Sequence, residues 1–142
     1  MVAKALGAVN SALSKDDLGK LLLRLSVGGL MLFHGLHKLF GGVEGIAGML
    51  TAHGIPGFVA YGVLLGEVVA PVLIIFGILT RLSALGLAFT MVVAWLLVGV
   101  DKTFMLDKVG AWAIESLVYF FVAALAVAFL GAGRYALGGT WR

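Results

Sequence analysis

Four apolar stretches, each about twenty residues long and nearly free of ionisable side chains, decide what this chain can fold into. They run from about Leu18 to Phe40, Val59 to Leu79, Leu82 to Val100 and Ala111 to Leu130. About 20 residues at a rise of ~1.5 Å cover the ~30 Å of hydrocarbon in a bilayer. In that medium every backbone N–H and C=O must bond within its own helix. Thr80-Arg81 is too short a link for anything but an antiparallel return. The expected fold is therefore all-α: a four-transmembrane-helix antiparallel bundle, a single membrane domain over residues 1–142 with the lipid bilayer as its partner. With 62% hydrophobic and 12% charged residues, the chain has too little charge to clothe a soluble surface, where about 25% is usual.

The connections carry their own signals. Gly41-Gly42 stops the first span, and Val43–His53 reads as a short amphipathic helix before Gly54-Ile55-Pro56-Gly57. Residues 1–13 place Val2, Ala5, Leu6, Val9 and Leu13 on one face, as an interfacial helix would. Ser14-Lys15-Asp16-Asp17 resembles a helix start, with both acids near the positive helix end. The N-terminus lacks the features of a secretory signal, so its first residues are expected to remain. Lys4, Lys15, Lys20, Arg81, Arg134 and Arg142 fall on the side of the termini, against Lys102 and Lys108 opposite. That bias puts both termini in the cytoplasm. Net charge is +3, which suits basic membrane flanks, and no nucleic-acid partner is read from it.

The few ionisable groups inside the spans share one depth. His34, His37 and Lys38 close the first span, Glu67 opens the second and Glu115 the fourth. Charged groups in hydrocarbon cost roughly 2.5–3.5 kcal/mol each on insertion scales, so they are rare without a partner or a task. These five form the candidate polar cluster. Pro71 removes the N–H that would bond the Glu67 carbonyl and is expected to bend the helix there. Trp95, at similar depth, lines the cluster with Pro71, and these two are the candidate cofactor-binding residues. His34, Glu67 and Glu115 are the candidate metal set, although no HExxH or ExxH spacing accompanies them. A purely structural reading, in which Glu67 and Glu115 pair with Lys38 and a protonated histidine, fits as well. Arg24 is assigned to lipid phosphate by snorkelling, and His53 to a solvated loop. Gly28 and Gly35, and the Gly62, Gly66, Ala70 repeat, read as close-packing faces.

Cysteine is absent, which removes thiolate metal sites and Fe–S ligation. His34 and His37 share one helix, so bis-histidine haem is disfavoured. Neither haem nor flavin is expected on this chain alone.

Taken in order, Arg24-Leu25, Phe33-His34-Gly35-Leu36-His37-Lys38-Leu39, Gly54-Ile55-Pro56, Gly66-Glu67, Gly77-Ile78-Leu79-Thr80-Arg81, Glu115 and Gly131-Ala132-Gly133-Arg134-Tyr135-Ala136-Leu137 resemble the DoxX family. The similarity runs from about Leu21 to the C-terminus. It departs at Gly138-Gly139, where the family often has a Ser-Leu-Asp-like step. The resemblance implies a four-helix protein of the bacterial cytoplasmic (inner) membrane. Relatives include a subunit of a thiosulfate:quinone oxidoreductase and a component of an oxidative-stress complex. It thereby implies an accessory subunit of a membrane redox system, with quinone as the cofactor to consider and a membrane oxidoreductase as partner. Whether the chain is itself an enzyme stays open. A non-enzymatic assembly or interaction factor is the alternative, and a small transporter, which would need to homo-oligomerise, a third.

Overall fold

A computed structural model describes residues 1–141. Arg142, one of the basic residues counted above, lies outside them. Among the described residues the chain is all-α, with six helices: α1 (Val2–Leu13), α2 (Asp16–Gly41), α3 (Glu44–Ala52), α4 (Gly57–Phe76), α5 (Thr80–Val98) and α6 (Glu115–Leu130). No strand forms among those residues; one isolated bridge joins Leu106 to Trp112. Helix α2 packs on α4 and α6, and α5 packs on the same two. Val27, Met31, Ile74, Leu87, Met91 and Val127 fill the space between them. Ile46 and Leu50 of α3 close a smaller core over Ala60 and Val63. Helix α1 buries nothing.

Two helices, α4 and α5, are long and apolar enough to cross a membrane. The other two expected spans differ from that simple picture. Helix α2 is 26 residues long and carries charge at both ends: Asp16 and Asp17 in its first turn, Lys38 in its last. Ser14 does not cap it; the N-cap is Lys15, and no side chain caps the helix. Helix α6 has 16 residues, not twenty, which is about 24 Å at 1.5 Å per residue. Its expected first turn is spent elsewhere. Asp107 Oδ1 accepts from the Val109 and Ala111 N–H groups at 2.9 Å each, and Ala113 N–H donates to Met105 O at 3.0 Å. Those bonds hold residues 103–113 as a compact loop, so the helix cannot start until Glu115.

The other end of the molecule is organised by arginines. Helix α4 stops at Gly77, whose φ of 69° is a left-handed cap. Ile78 N–H bonds Leu73 O, and Gly77 N–H bonds Ile74 O. The remaining terminal carbonyls need donors too. Arg24, 1% exposed, contributes here: Nη2 donates to Ile75 O at 3.0 Å, and Nε adds a second bond to Ile74 O at 3.0 Å. Its other N–H bonds fasten the tail, Nη1 to Ala132 O at 2.5 Å and both terminal nitrogens to Tyr135 O at 2.9 Å. Leu137 and Gly138 N–H groups then bond Phe76 O and Gly77 O. Arg24 therefore does not snorkel. It is a buried strut in which five N–H donors meet four carbonyls near a helix C-terminus, where a cation is favoured. Arg81 does the same for α6, donating to Ala128 O and Phe129 O at 2.6 and 2.8 Å.

Candidate functional site: a buried lysine–glutamate pair

Pro71 has no N–H, so the Glu67 carbonyl loses its usual helical partner. The sequence predicts a bend there, and the structure shows one widened turn. Leu65–Val69 is a π-helical turn in which the Ala70 N–H reaches Leu65 O. Such single wide turns recur at functional sites. The Glu67 carbonyl then faces Gly35 of α2 so closely that a Cβ there would overlap it, while a Cβ at Gly28 would meet Pro71 O at 2.9 Å. Glycines at both places let α2 and α4 approach backbone to backbone.

That approach sets the site. Lys38, one turn from the end of α2, places Nζ 2.6 Å from each Glu67 carboxylate oxygen. The glutamate is 2% exposed and the lysine side chain 33%. The carboxylate is thus enclosed, while the lysine side chain is partly exposed. A cavity of about 70 Å³ adjoins the pair, bounded by Thr90, Leu97 and the α3 residues Ile46 and Met49. Thr90 Oγ1 donates to Gly86 O at 2.9 Å and packs on Gly66. The third ammonium proton of Lys38 has no protein acceptor among the described residues. The pair can therefore hold a fixed, oriented donor at the edge of an apolar core.

The other candidates lie elsewhere. His34 sits edge-on to Phe120 of α6, centroids 5.8 Å apart and rings at 83°. From His34 to Lys38 the helix turns by ~40°, enough to move from the α6 side to the α4 side, and His37 turns ~60° the other way. His37 is exposed. Glu115 is exposed and lines a groove of about 470 Å³ between α2 and α6, with Ser26, Asp107, Ser116 and Tyr119. Among the described residues no three His, Asp or Glu side chains come together, so the His34–Glu67–Glu115 metal set is not assembled. Pro71 is buried at the α2 contact, away from the Lys38 cavity. Trp95 faces a separate apolar pocket with Trp112, and its Nε1 donates to Thr103 Oγ1 at 2.9 Å. His53 is exposed, its Nδ1 2.8 Å from Met49 O. Thr90 was not singled out by the sequence; the available signal was a hydroxyl on an otherwise apolar span at the depth of Glu67.

Among the described residues the chain is all-helical, with two apolar helices of membrane length and an enclosed ion pair between α2 and α4. Residues 19–100, which hold both Lys38 and Glu67, match the family model described as DoxX. The chain belongs to the DoxX family. It is 36% identical over 89 residues to a protein of Bacillus subtilis (strain 168) named "Putative oxidoreductase CatD". That match covers 63% of this chain and 66% of the relative, a little under two thirds of its length. No solved structure matches the chain.

Proposed function

We propose that this chain is a multi-pass protein of the bacterial inner membrane, with α2, α4, α5 and α6 as four antiparallel spans and both termini cytoplasmic, and that it acts as an accessory subunit of a membrane redox system. Its family and the length of α4 and α5 support the membrane reading. So do the outward faces of the helices: Phe33 is 74% exposed, Phe89 69% and Phe129 78%. Apolar area of that extent marks a membrane or interaction surface. The short α6 crosses by local thinning of the bilayer, at fractions of a kcal/mol per Å. The name of the Bacillus relative supports the redox association.

The observation that carries the reading is the asymmetric Lys38–Glu67 pair. Glu67 fixes the ammonium, and the outward part of Lys38 keeps a donor for an anionic or carbonyl group of a partner. A quinone head group does not fit the adjoining cavity: about 70 Å³ suits a few waters, far below the ~300 Å³ where ligand pockets begin. The pair accordingly meets a redox partner from outside and does not enclose a quinone. A second reading, an assembly factor in which the pair only fixes the α2–α4 contact, is favoured by the complete engagement of the carboxylate by one lysine.

Gentle purification of the tagged chain from native membranes, with identification of bound protein and non-protein mass, tests the proposal. An oxidoreductase subunit in the preparation, with impaired quinol oxidation in membranes lacking the chain, is the expected result. Finding no oxidoreductase subunit and unimpaired quinol oxidation would overturn the redox reading.

A further inference from the structure

Helix α1 buries no residue, so the bundle gives its apolar face no cover among the described residues. That face is sharply drawn. At ~100° per residue, Val2, Leu6, Val9 and Leu13 fall within ~60° of arc, and Lys4 and Ser11 lie about opposite. Each of the four is more than half exposed. A lone helix of 12 residues is marginal in water, so this one needs an apolar surface to lie on.

The link to α2 decides which surface is within reach. Ser14 N–H donates to Asn10 O at 3.0 Å and ends α1. Lys15 N–H then donates to Leu13 O at 2.8 Å across Ser14, whose φ of −74° and ψ of 74° make an inverse γ-turn. That elbow stops α2 from continuing α1. Only Ser14 and Lys15 separate the two helices, a reach of at most ~11 Å. Helix α1 therefore stays beside the start of α2, where Leu18 and Leu22 are exposed as well. Lys4, Lys15, Lys20, Arg81 and Arg134 gather at this end against Asp16 and Asp17. One Asp17 oxygen already accepts the Arg134 backbone N–H at 3.1 Å.

We infer that α1 lies along the anionic phospholipid surface of the leaflet at this end, with its apolar face in the headgroup–acyl boundary. The transfer runs from water to the interface, where the four side chains leave water and the polar face keeps it. The excess of cations complements lipid phosphate. The inference rests on the membrane placement of α2 and not on the redox reading.

The chain has no cysteine, so single labels can be placed at will. Full-length Leu6→Cys, Ser11→Cys and Phe89→Cys proteins, each carrying a bimane label, are put in nanodiscs of phosphatidylglycerol and phosphatidylethanolamine. Phe89, exposed on α5, reports the membrane placement by itself. Brominated acyl chains should quench the labels at 6 and 89, and iodide should spare both; the label at 11 should answer to iodide. Lys4→Gln should raise the ratio of lifted to immersed label at 6 about fivefold, and leave it unchanged in phosphatidylcholine discs. A label at 6 open to iodide while that at 89 stays quenched by lipid would overturn this inference alone. If the label at 89 also answers to iodide, the membrane reading falls with it. Shielding of the label at 6 from both quenchers, as a second copy of the chain would give, or an equal Lys4→Gln effect in both discs, would overturn it too.

Discussion

Removing Lys38 should cost more than removing Glu67, because the two ends of the pair differ in exposure. In Lys38→Met the carboxylate stays enclosed at 2% exposure with no partner. Breaking a buried pair by removing one member costs about 3–5 kcal/mol. The partial exposure of Lys38 admits some water to the vacated side, which places the expected loss near ~3 kcal/mol. In Glu67→Gln the lysine side chain, one third exposed, is freer to reorient than the enclosed carboxylate, so ~1–2 kcal/mol is expected, close to the loss of one charged hydrogen bond. The double variant Lys38→Met/Glu67→Met removes both charges at similar volume and should return to within ~1 kcal/mol of the parent. Reversible unfolding in mixed micelles, followed by circular dichroism, gives all three values as a double-mutant cycle. Equal losses for the two single variants, or a double variant as unstable as their sum, would refute the claim that the pair is enclosed and coupled.

The helix contacts make sharper tests. Gly35→Ala must push Cβ into the Glu67 carbonyl, a backbone atom that cannot rotate away, and should lose ~1–3 kcal/mol in the same assay. Gly62→Ala and Gly29→Ala have no atom within 4 Å of the new methyl and should be neutral or gain up to ~1 kcal/mol from helix propensity. Arg24→Lys keeps the charge but not the fork. Three donors cannot reach the carbonyls on α4 and the tail, so a loss of ~2–4 kcal/mol is expected. The freed tail should be cut by trypsin after the exposed Arg134 faster than in the parent; unchanged cleavage would remove the strut argument.

Much of the architecture was legible because it rests on one-dimensional signals. Hydropathy located all the principal helices, and Gly42, Gly77 and Gly131, with φ of 87°, 69° and 77°, punctuate them near where the sequence suggested. Helix α6 was misjudged at its start because the bonds that hold Ala111 and Ala113 come from Asp107 and Met105, and nothing in hydropathy records them. The polar cluster was read from depth alone. Depth along an axis was a fair guide for Lys38 and Glu67, but azimuth decides which neighbour a side chain meets. The ~40° between His34 and Lys38 sends one to Phe120 and the other to Glu67. Gly62 shows the same limit: it shares the spacing of Gly66, yet only Gly66 has a neighbour, Thr90. Arg24 was misread for a related reason. A lone arginine near a span end ordinarily reaches for lipid, and only the folded tail reveals the carbonyls that claim it.

The most direct test compares the parent with Lys38→Met/Glu67→Met after their stabilities have been shown to match. Both tagged chains are recovered from native membranes, and the retained oxidoreductase is quantified against the chain itself. If the outward ammonium is what a redox partner recognises, the folded double variant should lose most of that partner. Equal retention by the two would contradict the account and leave the ion pair as a fastener between α2 and α4.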